Sequence, residues 1–238
     1  MKKLPWKLKG GRAGTSLVEV TASMLLFSIM MAMIIGIMSP AAKIFLQMRE
    51  LEDAQIILDN IEQELRGIGQ TVSGYIKIYE NGNAISGQEG SADGAVLEFI
   101  NEQGYVTLLS ADGCGGTDLM LGDSRLDVLE ETDPGELLIR YYTRDAADGS
   151  YIYQNGEDAV ARAGNKIFTD GYYMGNYLKM VFSYPENVSE GDKVMFVNVD
   201  LKLYKDKDFK ELAAWDQMVM DFRYDAERQD AVTAVKKI

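Results

Sequence analysis

The 238-residue sequence contains no histidine, one cysteine and four prolines. The absence of histidine excludes the Ser–His and Cys–His pairs of nucleophilic catalysis and metal sites that use imidazole. A single cysteine, Cys114, cannot close a disulfide within the chain, so the fold must be stabilised by its apolar core. Basic residues are scarce as well, with 24 Lys and Arg against 37 Asp and Glu. Since nucleic-acid phosphates are contacted by clustered Lys and Arg, this balance argues against nucleic-acid binding.

Charged residues are almost missing from one long segment. Between Leu17 and Ile37 there is no Lys, Arg or Asp, and Glu19 is the sole ionisable residue. About 20 apolar residues cross a bilayer as a helix, so this segment predicts a membrane helix. A carboxylate at the bilayer centre costs roughly 2.5–3.5 kcal/mol and less near the boundary, so Glu19 needs a partner. Residues 1–14 hold five basic and no acidic residues, which predicts a cytoplasmic leader and an external remainder.

The residues around Glu19 resemble the processing site of type IV prepilins and the related secretion pseudopilins. The matching positions are the cleavage glycine Gly14, the hydroxyl residue Ser16, the aliphatic residues Leu17, Val18 and Val20, and the acid Glu19. Thr15 departs from the pattern, because the family most often has phenylalanine there. The resemblance extends over residues 1 to about 66 and concerns nothing specific in the rest of the chain.

The resemblance implies a structural subunit, a major or minor pilin or a pseudopilin, of a pilus-like filament. A prepilin peptidase would cleave after Gly14, and Thr15 would be N-methylated. Glu19 would neutralise the N-terminal amine of a neighbouring subunit, because opposite charges attract strongly in a low dielectric. A bond of Glu19 to its own amine, or a protonated Glu19, are the alternatives. The implied partners are other pilin subunits, the peptidase, the assembly machinery and the lipid bilayer. The chain would cross the cytoplasmic membrane once before it joins a cell-surface filament.

Two other interpretations of the N-terminal segment stay open. In a cleaved secretory signal peptide, Ser39-Pro40-Ala41 would be the cleavage site, although the apolar run exceeds the about 7–15 residues of such peptides. An uncleaved signal anchor would instead carry an extracellular binding domain that does not polymerise. A methylated Thr15 at the mature N-terminus would support the filament subunit, and an intact Met1 would support the anchor.

Residues 15–69 predict one long helix with a change of character at Pro40. Gly36 and Pro40 predict a kink or a melted turn, since proline deletes a backbone hydrogen bond. Pilins commonly carry such a helix break, and the resemblance suggests that the helix loosens there on assembly; alternatively, Pro40 marks the membrane exit. Gly67 and Gly69 are expected to end the helix as C-terminal caps. An apolar stripe at helical spacing follows Pro40 and predicts packing on a sheet: Ile44, Met48, Leu51, Ala54, Leu58, Ile61, Leu65 and Ile68.

After Thr71 the pattern alternates, with β-branched and aromatic residues between turns, which predicts strands. The predicted strands are Tyr75–Tyr79, a hairpin of Val96–Ile100 with Tyr105–Leu109, a hairpin of Leu137–Thr143 with Tyr151–Tyr153, and the two strands Leu178–Tyr184 and Val194–Tyr204, joined through Pro185–Asp192. A last strand at Met218–Tyr224 is expected, or else a short helix within Phe209–Met220. Residues 225–238 are expected to fray.

These patterns predict an α+β fold in which a long helix packs on an antiparallel β-sheet head, as in pilins. The predicted divisions are a leader at 1–14, the transmembrane and assembly helix at 15–69, and an extracytoplasmic β-rich head at 70–238. Acidic turns such as Asp112-Gly113 and Asp206-Lys207-Asp208 lack the spacing of a calcium loop and are interpreted as turn chemistry. One member of each pair Tyr141-Tyr142 and Tyr172-Tyr173 is expected in the core. The sequence therefore predicts no enzyme, no cofactor and no metal site.

Overall fold

The computed structural model describes residues 16–81, 89–113, 120–121, 124–125, 133–143, 151–153, 161–169, 171–231 and 235–237. The chain divides into two compact units, Met1–Glu50 and Leu51–Ile238. The predicted leader at 1–14, the cleavage pair Gly14–Thr15 and the single cysteine Cys114 lie outside the described residues.

One helix, α1, spans Leu17–Gly69 and is the long N-terminal helix that the sequence predicts. It continues without interruption through Gly36 and Pro40. The predicted melted turn is therefore absent from the described single chain, while the loosening on assembly stays a prediction. Within the first unit, the described part of α1 is solvent-exposed throughout and is apolar and long enough to cross a membrane.

The second unit is built on a β-sheet, which continues the chain after α1. The strands are β1 (Val72–Tyr79), β2 (Asp93–Gly94), β3 (Val96–Asn101), β4 (Tyr105–Ser110), β5 (Met120–Leu121), β6 (Ser124–Arg125), β7 (Leu138–Thr143), β8 (Tyr151–Tyr153), β9 (Ala161–Lys166), β10 (Tyr177–Ser183), β11 (Lys193–Tyr204), β12 (Leu212–Arg228) and β13 (Val235–Lys237). Nine of them form one sheet in the order β2-β10-β11-β12-β1-β3-β4-β7-β9. Two small ribbons, β8 with β13 and β5 with β6, complete the described strands.

The large sheet is mixed, whereas the sequence predicted an antiparallel one. Its other neighbouring strands are antiparallel, but β1 pairs with β12 in parallel, through Tyr75 with Glu227 and Ile76 with Arg228. Parallel neighbours need a long crossover connection. Here most residues of the second unit lie between β1 and β12 in sequence, so no local pattern predicts that the two strands pair.

Of the two predicted hairpins, one is confirmed and one is wrong. β3 pairs with β4 as predicted, and the predicted strands β10 and β11 are also antiparallel neighbours. The predicted hairpin of Leu137–Thr143 with Tyr151–Tyr153 does not form. Instead β7 lies between β4 and β9, and β8 pairs in parallel with β13. Both segments are strands, but nearness in sequence was a poor guide to their partners.

The last part of the chain is more regular than its charges suggested. β12 extends over 17 residues, so the alternative short helix at Phe209–Met220 is wrong. The expected fraying from residue 225 is wrong as well, because β12 continues to Arg228 and β13 follows. The charged residues near its end alternate with the buried side chains of Phe222 and Ala226. One face of this stretch therefore belongs to the core although its composition is polar.

The core of the second unit lies between α1 and the sheet. The buried residues of α1 are Ala54, Ile57, Leu58, Ile61, Leu65, Ile68 and Gly69. The predicted stripe is thus right from Ala54 onward, while Ile44, Met48 and Leu51 are exposed and Ile57 was missed. Gly69 does not have the left-handed conformation of a C-terminal cap. A Cβ atom there would lie 2.7 Å from the carbonyl oxygen of Asp221, so this glycine permits the close approach of α1 to β12.

Candidate functional site at the start of the helix

The first turn of α1 is closed by a reciprocal pair of hydrogen bonds between Ser16 and Glu19. The backbone N–H of Ser16 donates to the Glu19 carboxylate oxygen Oε2 at 3.0 Å. The backbone N–H of Glu19 donates to Ser16 Oγ at 3.3 Å. This is a capping box, which satisfies two backbone donors that the start of a helix leaves without helical partners. The negative charge also lies at the positive end of the helix dipole.

Glu19 is exposed in the single chain and is held by its own backbone. From the sequence, the Glu19 carboxylate was expected to pair with a neighbour's amine or with the chain's own amine, or to be protonated. The hydrogen bond from the Ser16 N–H was not expected. The signal was readable, because a serine followed three residues later by glutamate before an apolar run is the sequence form of a capping box. The carboxylate therefore lies next to the backbone nitrogen that follows Thr15.

The rest of this apolar segment satisfies its polar groups internally. The hydroxyl of Thr21 donates to the carbonyl of Val18 at 3.0 Å. The hydroxyls of Ser23 and Ser28 donate to carbonyls four residues earlier, at 2.7 and 2.8 Å. Hydroxyls bonded to their own helix present little polar surface, and lipid tolerates only polar groups that are satisfied in this way. Glu19 is the one charge on an otherwise lipid-compatible surface.

A cluster of polar side chains is buried within the sheet of the second unit. Glu98 on β3 is fully buried, and its two carboxylate oxygens accept hydrogen bonds from Tyr75 at 2.5 Å and Tyr79 at 2.8 Å. Lys77, equally buried and opposite Glu98 in the β1–β3 register, donates to the carbonyl of Ala231. Burial lowers the pKa of Lys77, against the opposing effect of the Glu98 charge. The group ties β1, β3 and the chain after β12 together, and its lack of exposure indicates a structural role.

Three acidic residues of the described part of the chain come together where α1 meets β12. Carboxylate oxygens of Asp59, Glu62 and Asp216 lie within 4.8 Å of one another, a grouping that the sequence did not reveal. However, Glu62 is paired with Arg66 at 2.5 Å, so one of the three acids already has a cation.

The acidic turn at Asp206 serves its own loop. Its carboxylate accepts the backbone N–H groups of Glu211 at 2.7 Å and Lys210 at 3.1 Å. These hydrogen bonds lower the pKa of Asp206. Turn chemistry, as the sequence predicted, therefore accounts for this carboxylate.

The structure describes both side chains of the tyrosine pair Tyr172-Tyr173 and one side chain, Tyr141, of the other pair. Tyr173 is buried, and its hydroxyl accepts the backbone N–H of Leu137 at 2.8 Å. Its neighbour Tyr172 is half-buried and stacks on Phe168, with ring centroids 4.2 Å apart. Tyr141 is half-buried and packs against the core. The expected core position is thus confirmed for the pair Tyr172-Tyr173.

Comparison with protein-family models, with curated proteins and with solved structures finds no match for this chain.

Proposed function

We propose that the chain is a membrane-anchored structural subunit of a type IV pilus-like filament. In this proposal a prepilin peptidase removes residues 1–14, Thr15 becomes the methylated N-terminus, and subunits polymerise through α1. The observation that carries the proposal is the isolated carboxylate of Glu19, in the first turn of an exposed apolar helix, bonded to the N–H of Ser16. After cleavage, the free amine would be on the adjacent residue.

The energetics of this carboxylate favour polymerisation over a plain anchor. A charge in lipid is penalised by a few kcal/mol, and burial between helices raises the penalty unless an opposite charge is present. One hydrogen bond from Ser16 leaves much of the Glu19 charge without compensation. The amine of a neighbouring subunit would supply that compensation, so its pairing with Glu19 would stabilise the assembled filament. A signal anchor that does not polymerise would provide no such partner for the Glu19 carboxylate.

The two ends of α1 are suited to different tasks, which also supports the proposal. Residues from Leu17 to Ile37 offer an apolar surface with internally bonded hydroxyls. Residues from Ala54 to Ile68 are part of the core of the second unit. One helix thus contains both an apolar surface that needs neighbours and a segment of the core of the second unit. A filament whose axis consists of such helices would display the heads on its outside.

The experiment replaces Glu19 by alanine and by glutamine in the full chain within a cell that assembles the filament. Glu52→Ala is the matched control, since it removes an exposed acid from the same helix. We expect both Glu19 variants to be cleaved after Gly14, as read by mass spectrometry, but to be lost from sheared filaments. Glu52→Ala should be incorporated normally. Normal incorporation of Glu19→Ala, or an intact Met1 on the membrane-bound chain, would refute the proposal and favour a non-polymerising signal anchor.

A further inference from the structure

Several bulky apolar side chains are exposed at one end of the sheet. The register places Tyr177 opposite Tyr204, and Tyr204 opposite Leu212, so the loops before β10 and between β11 and β12 lie at the same end. We call the exposed apolar residues of this end the loop-end patch: Met174 (67 % exposed), Leu212 (46 %), Trp215 (58 %) and the half-exposed Phe209. Large apolar surfaces that are left exposed usually mark a contact with a partner or a membrane.

Two members of the patch are held in an unfavourable backbone conformation. Met174 has φ of 50° and Phe209 has φ of 55°, in the left-handed region. This conformation costs roughly 1–2 kcal/mol for a residue with a side chain. The Phe209 ring is nonetheless fixed, edge-on to Tyr204 at 5.4 Å and below the Lys179 ammonium at 5.7 Å. Backbone strain that persists on exposed apolar residues suggests that their display is functional.

The charges around the patch leave a cation at the surface. The acids of the β11–β12 loop are engaged within it: Asp208 pairs with Lys210 at 3.0 Å, and Glu211 pairs with Lys205 at 3.1 Å. Lys207 is exposed and has no acidic partner among the described residues. The Lys179 ammonium over the Phe209 ring, together with the exposed Lys207 two positions before that residue, combines cations with aromatic side chains as membrane-interface contacts do.

The patch lies at the end where α1 enters the second unit. Along β12, Asp59 lies near Asp216, and the Arg66 guanidinium lies 3.5 Å from the Val219 carbonyl. Lower helix numbers thus correspond to the start of β12, where the patch is found. Leu51, the first residue of this unit, follows Ile37 by 14 positions, which is at most about 50 Å of extended chain. A bilayer that held residues 17–37 would be within reach of the patch.

We propose that the loop-end patch docks on the surface of the bilayer in which the chain is anchored. Trp215 and Phe209 would enter the headgroup region, with Lys207 at the phosphates, while Met174 and Leu212 add apolar area. The inference rests on the membrane anchorage contained in the proposed function. It adds a lipid contact of the head before assembly, which the subunit must release when it leaves the membrane.

Trp215 is a built-in reporter for this contact, since Trp6 is the one other tryptophan. The full chain with Trp6→Phe is reconstituted into vesicles of phosphatidylcholine and phosphatidylglycerol, with or without brominated acyl chains. We expect brominated lipid to quench Trp215 and the bilayer to shield it from aqueous iodide. Met174→Gly and Phe209→Gly should weaken the quenching, and both should fold, because glycine adopts positive φ without strain. The matched control Met195→Ser removes an exposed methionine from the opposite end of β11 and should leave the quenching unchanged.

Trp215 that is open to iodide and unaffected by brominated lipid, in a chain that stays in the membrane after carbonate extraction, would overturn the inference. Shielding that increases with the protein-to-lipid ratio would overturn it too, because the occupant would then be a second copy of the chain. Release of the chain by carbonate would instead refute the anchorage, and with it the proposed function. The two failures are therefore distinguishable.

Discussion

Replacing Ile61 by alanine perturbs the contact that holds α1 on the sheet. Ile61 is 0 % exposed and lies in the core cluster with Met218 and Met220 of β12. Truncating a buried isoleucine to alanine typically costs about 2–5 kcal/mol, through lost burial and the cavity that remains. A domain is stable by only about 5–15 kcal/mol, so the loss should be a large fraction of the total.

Ile56→Ala is the matched control on the same helix, because Ile56 is 56 % exposed. We expect its effect on the free energy of unfolding to stay within about 0.5 kcal/mol. The assay is urea unfolding in detergent of the full chain with Trp6→Phe, followed by the fluorescence of Trp215. The Ile61 variant should lower the urea midpoint at an unchanged slope. Equal midpoints for the two variants would refute the assigned packing of α1.

Two further predictions concern glycines and pH. Gly67→Ala should raise the free energy of unfolding by about 0.5–1 kcal/mol, because the site is helical and open. Gly94→Ala should lower the free energy of unfolding, because its Cβ would lie 2.0 Å from the Tyr79 carbonyl oxygen. Urea midpoints that change in the same direction for both variants would contradict these assignments. Burial raises the pKa of Tyr184, so the unfolded chain ionises first and stability should fall as pH rises above about 10. Tyr184→Phe should reduce that fall, and an identical pH profile in the variant would count against it.

The sequence predicted the features that depend on neighbouring residues. The α1 stripe from Ala54 and the β3–β4 hairpin follow from spacing and turn chemistry, and both are present. The Ser16–Glu19 capping box is equally local and was available to the same reasoning. The exposure of Leu51 was not predictable from spacing, because an apolar stripe does not state where its covering sheet ends.

The sequence did not predict the long-range strand pairings. The parallel β1–β12 contact and the partner of β8 join segments that are distant in the chain, where no periodicity is shared. The buried group around Glu98 has the same origin, since Lys77, Tyr75 and Tyr79 alternate with apolar residues and look like a solvated strand face. Only the assembled sheet shows that this face is covered. Turn residues such as Phe209 in the left-handed region are likewise set by the loop as a whole.

The parallel pairing of β1 with β12 affects the order in which the chain can fold during its synthesis. The strand made directly after α1 obtains this neighbour only when residues near 227 have been synthesised, and the same strand β12 covers the buried side of α1. Pairings between segments so far apart in sequence form slowly. We expect the emerging chain to keep the apolar face of α1 uncovered until its synthesis is almost complete, so a chaperone would protect the chain most at this stage.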